Sequence, residues 1–193
     1  GTEGTYQLFV GGSSLPSELL SLELPAGDVE IMLTWNTNAD LQLSVRDPFG
    51  SMVYDDVRRV QSGGVLAATG NINCTVSEGE PAYYIYWPEG FKRLGRYEIN
   101  VWYQSECEDT RPVVFQLYVV VDGTLVTTQT SAIGWGERYL TSFNVGADSA
   151  EMGPGGIASG SDTLDLVSEA ASAFRITSGA VVTGSIGTEN PYD

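Results

Sequence analysis

Between Val29 and Val145 apolar residues recur at every second position, and short turn words interrupt them, a period that fits strands with one buried face and not amphipathic helices. Val29, Ile31, Leu33 and Trp35 alternate with Glu30, Met32, Thr34 and Asn36, while Leu41, Leu43 and Val45 alternate with Gln42, Ser44 and Arg46. Tyr83 to Trp87 is a short aromatic run, and Tyr97, Ile99, Val101 and Tyr103 alternate with Glu98, Asn100, Trp102 and Gln104. Val113 to Val121 is the longest apolar run. Asp122-Gly123, the strongest short hairpin cue, joins it to Leu125–Thr130, and Arg138 to Val145 follows Gly134-Trp135-Gly136. Upstream, Leu20, Leu22 and Leu24 precede the turn residues Pro25 to Asp28, so this segment and Val29–Trp35 read as a hairpin. Seven or more strands with turns at close intervals and no helical period predict an all-β chain, an antiparallel β-sandwich of Ig-like or jelly-roll-like type.

Four stretches carry a family likeness: N-A-D-L-Q-L-S-V-R-D-P-F-G from Asn38, S-G-G-V-L from Ser62, Y-I-Y-W-P-E-G from Tyr84 and G-R-Y-E-I-N-V-W-Y from Gly95. Over about residues 19–145 their order resembles the bacterial YfaP-like domain of unknown function and, more distantly, the pre-peptidase C-terminal domain. Both are small extracytoplasmic β-sandwiches, so the resemblance implies a fold and a habitat and supplies no reaction.

On this reading residues 1–18 form an N-terminal strand-like extension, 19–146 the sandwich and 147–193 an acidic, Gly/Ser-rich extension. Residues 162–174 read either as a short helix capped by Asp162 or as two strand fragments. Tyr6, Leu8 and Val10 at one end, and Ile176, Ala180 and Val182 at the other, read as strands that lack a partner of their own.

The formal charge of −16, from 25 acids against eight arginines and Lys92, repels phosphates and anionic headgroups and argues against nucleic acid as a partner. No run reaches the ~20 apolar residues of a membrane span. The chain contains no histidine, so the side chain most used as a base near neutral pH is missing. No G-x-S-x-G elbow or H-E-x-x-H helix appears, and Gly153-Pro154-Gly155-Gly156 lacks the lysine of a phosphate loop. A non-enzymatic role is therefore expected.

Cys74 and Cys107 leave no thiol over if paired, and a Ser/Thr/Gly-rich acidic chain favours a structural disulfide over two reduced buried thiols. Such a bridge implies an extracellular or cell-surface protein whose signal peptide has been removed. Asp40, Asp47, Asp55 and Asp56, around the D-P-F-G turn, are candidate Ca²⁺ ligands, because hard oxygens on a loop suit that ion. Members of the pre-peptidase C-terminal family bind calcium at strand ends, so the resemblance permits the same here. The bland alternative is that Asp47 caps its turn and the others are solvated. Asn73-Cys74-Thr75 fits the N-glycosylation pattern. Tyr84, Tyr86 and Trp102 are candidates for an aromatic surface that stacks on sugars, core packing being the competing explanation.

Two roles fit these features. One is a structural subunit of a surface filament or assembly, a homopolymer or homo-oligomer joined by strands donated between copies, which the strand-like ends and low lysine content favour. The other is a secreted ligand-binding or adhesion module for glycans or protein surfaces, stabilised by calcium.

Overall fold

A computed structural model describes residues 9–10, 13–14, 24–76, 81–108 and 111–159. Its strands, in chain order, are β1 (Phe9–Val10), β2 (Ser13–Ser14), β3 (Val29–Trp35), β4 (Asp40–Arg46), β5 (Met52–Val53), β6 (Val65–Ala68), β7 (Ala82–Trp87), β8 (Gly95–Ser105), β9 (Val113–Val121), β10 (Thr124–Ile133), β11 (Glu137–Val145), β12 (Ala150–Met152) and β13 (Gly156–Ser159). The expected antiparallel sandwich is what forms. One sheet has the order β10-β9-β3-β7-β6, and the other has β12-β11-β8-β4-β5 with β13 also on β11. β1 and β2 pair with each other.

The alternation seen in the sequence becomes the two faces of each sheet. Val29, Ile31, Leu33 and Trp35 of β3, with Tyr83, Ile85 and Trp87 of β7 and Phe115, Leu117 and Val119 of β9, meet Leu41, Leu43 and Val45 of β4 and Tyr97, Ile99, Val101 and Tyr103 of β8 in one core. Rings lock its centre: Trp87 meets Tyr97 edge-on at 5.1 Å, and Tyr97 stacks on Phe143 of β11 at 4.9 Å.

Two turn words work as their chemistry predicts. Asp47 Oδ1 accepts the Phe49 and Ser51 N–H groups at 2.9 and 3.0 Å, and Gly50, at φ +84°, returns the chain into β5. Asp122 and Gly123, both at positive φ, turn β9 into β10.

Two expectations change. β3 has β7 on one side and β9 on the other, so it is a central strand and has no free edge for a hairpin with the segment before Pro25. The second sheet runs past residue 146, because β12 and β13 pair with opposite halves of β11. The candidate helix at 162–174 and the terminal candidates Tyr6, Leu8, Ile176, Ala180 and Val182 lie outside the described residues; Val10 belongs to β1.

Candidate functional site

Two regions of the sandwich depart from a plain packed scaffold. The first is the outer edge of β10. Its sequence, T-L-V-T-T-Q-T-S-A-I, is rich in Thr and β-branched residues that suit a pleated strand, and it contains no charge and no proline. β9 covers one side over the whole strand, with a register shift between Leu125 and Thr127, and among the described residues no strand pairs with the other side.

Folded proteins blunt such edges by keeping them short, charging them, bending them with bulges or covering them. The other sheet edges here are short: β5 has two residues, β12 three, and β6 and β13 four each. β10 has ten. The shift beside Leu125 disturbs only its first residues, and from Thr127 to Ile133 the register with β9 is unbroken. Thr128, Thr130 and Ala132 are exposed on one face; on the other, the Tyr139 hydroxyl of β11 donates to Gln129 Oε1 at 2.9 Å and ties the strand to the second sheet.

The second region is an acidic pair at one end of the sandwich, Asp40 buried and Asp55 half-buried. Asp40, 1% exposed, opens β4, and its Oδ2 accepts the Asn73 N–H at 2.8 Å while Oδ1 is buried without a donor. The 3₁₀ turn Ile72–Cys74 that supplies this N–H is held from both sides. Asn71, in left-handed backbone at φ 51°, donates through Nδ2 to the Thr37 carbonyl at 2.9 Å, and Cys74 is bridged to Cys107. The expected disulfide is therefore present, and it closes a loop that contains β7 and β8.

Asp55 Oδ2 accepts the Tyr83 hydroxyl at 2.6 Å, and the Gln42 side chain also hydrogen-bonds to Asp55. Desolvation raises Asp40 to about 6; the Asn73 bond opposes this and the Asp55 charge adds to it. Burial also raises Asp55, against the Tyr83 hydrogen bond and the Arg58 charge. Tyr83 is pushed upward, first by burial and then by its bond to Asp55.

The four candidate calcium ligands do not converge. Asp47 sits beyond the far end of β4, where it caps its turn, and Asp56 is exposed. Among the described residues no group of three or more His, Cys, Asp or Glu side chains is placed to hold a metal ion. The aromatic candidates divide as well. Tyr84, 4% exposed, stacks on Tyr86 at 5.6 Å and donates its hydroxyl to the Pro25 carbonyl, so it is structural and not a surface residue. Trp102 lies on the other sheet, beneath the Arg138 guanidinium at 4.8 Å, so the three rings form no common platform. Asn73 is exposed, between Asp40 and the bridged Cys74.

Strand periodicity is silent on the exposed apolar side chains of the loops. Phe49, Phe91 and Leu94 are exposed, with the Arg93 guanidinium 5.6 Å from the Phe49 ring and 6.0 Å from that of Phe91. Trp135, on the β10–β11 turn, is 64% exposed. Their signal in the sequence is an aromatic beside turn glycines, where no core face is available.

No protein-family model, no curated protein and no solved structure matches this chain.

Proposed function

We propose that this protein is a non-enzymatic structural subunit of an extracellular or cell-surface assembly, whose copies are joined by strand addition between neighbours. The observation that carries this reading is the outer edge of β10, ten residues without charge or proline in a chain whose other described sheet edges are four residues or shorter. An extended segment that docks there gains a ladder of main-chain hydrogen bonds, and the uncharged edge lets copies of net charge −16 approach without a local like-charge penalty. The Cys74–Cys107 bridge supports an oxidising habitat, where such assemblies live. The chain has no histidine, and the one carboxyl raised close to neutrality, Asp40, is 1% exposed and so out of a substrate's reach, which supports a role without chemistry.

The test is negative-stain microscopy and light scattering of the full chain over a range of concentrations. Filaments or discrete oligomers are expected, and Thr128→Lys with Thr130→Lys should dissolve them by charging the edge. Dispersed single copies at every concentration would overturn the reading.

A further inference from the structure

We infer that the strand received by the β10 edge is the C-terminal segment Ile176–Gly187 of a neighbouring copy, and not the N-terminal segment around Tyr6–Val10. The inference rests on the strand-addition reading and names its donor.

Two uncharged runs flank the sandwich in the sequence. The first, Thr5 to Ser17, includes Gly11-Gly12 and Pro16, and its Phe9–Val10 is already paired with Ser13–Ser14. Its described strand is two residues long and already paired, against an edge of ten. The second, Ile176 to Thr188, contains no proline and no charge, and it is bounded by Arg175 and Glu189.

Its alternation fits the acceptor. Ile176, Ala180, Val182 and Ile186 share one parity, while Thr177, Thr183 and Ser185 share the other with Val181. Added to the sheet, the first set would extend the side on which Gln129 and Ile133 meet the second sheet. The second set would continue the exposed Thr128 and Thr130 face. The opposite parity would turn four apolar side chains toward water in place of one.

Reach is sufficient. The described chain ends at Ser159 on β11, and the sixteen residues from 160 to 175 span at most about 55 Å when extended, against roughly 33 Å for the whole of β10.

The experiment is hydrogen–deuterium exchange of the full chain at an assembling concentration, with the variants Val182→Pro and Val10→Pro. Proline removes a ladder donor and bars the strand; Val10 lies in the separate β1–β2 pair and Val182 lies outside the described residues, so neither substitution touches a described strand of the sandwich. In the parent the β10 amides that face away from β9 should exchange at least tenfold more slowly than in dilute solution. Val182→Pro should abolish that protection and the assembly together, and Val10→Pro should leave both intact. Protection that survives Val182→Pro, or is lost with Val10→Pro, overturns the donor assignment. So does assembly without protection of β10, which leaves the assembly reading standing; failure to assemble at any concentration defeats that reading instead.

Discussion

Replacing Asp40 by asparagine should stabilise this protein at alkaline pH and do nothing in acid. Burial raises the folded-state value of Asp40 from 3.8 to about 6, so the fold prefers the protonated acid. The stabilisation from that proton is complete below the unfolded value and is lost as pH rises through about 6. A difference of some two units corresponds to roughly 3 kcal/mol that the ionised native protein gives up at pH 8. An asparagine amide at this position stays neutral, and its oxygen can still accept the Asn73 N–H. Asp40→Asn should therefore gain up to about 3 kcal/mol at pH 8, a rise in melting temperature of roughly 6–12 °C, and the gain should vanish below about pH 4. Urea unfolding of both proteins at pH 4, 6 and 8, with chelator present, measures the difference directly. A variant weaker than its parent at pH 8, or a difference independent of pH, would show that Asp40 is held ionised by something other than its described neighbours.

Removing the bridge with Cys74→Ser and Cys107→Ser reopens a loop of 34 residues and should cost about 3.7 kcal/mol in urea on the chain-entropy model; a loss under 1 kcal/mol would mean that the unbridged chain is already constrained. Asp47→Ala strips two amides of their acceptor and should cost about 1–2 kcal/mol, equally with and without calcium in the buffer, as read from denaturant midpoints. Phe143→Ala takes a ring out of the Tyr97 stack and should cost about 3–5 kcal/mol by the same assay. Because Asp40 and Asp55 lack a third acid among the described residues, a calorimetric melt with chelator should superimpose on one with millimolar calcium; an upward shift with calcium would reveal a bound ion.

The central strands were legible because each buries one face: β3, β4, β8, β9 and β11 all display their core residues at alternate positions. The D-G and D-P-F-G turns were legible because positive φ and side-chain capping demand those residues. β12 and β13 were not, since strands of three and four residues at an edge need no alternation. The acidic site was half legible. Asp40 and Asp47 are near in sequence, yet a seven-residue strand separates them by roughly 23 Å, while Asp55 returns beside Asp40 only because β5 and its turn double back. The burial of Asp40 depends on a turn more than thirty residues away, anchored by Asn71 and the disulfide, and no local pattern announces it.

The position of β3 has a consequence for how the chain is born. Val29 lies opposite Trp87 on one side and Val121 on the other, so β3, the first long strand among the described residues, must wait for two segments made far later. Until residue 121 has emerged, its Ile31, Leu33 and Trp35 have no complete sheet to enter, and closure of such distant loops is slow. Folding should thus be post-translational in character, with a premature, aggregation-prone half-molecule as its chief hazard.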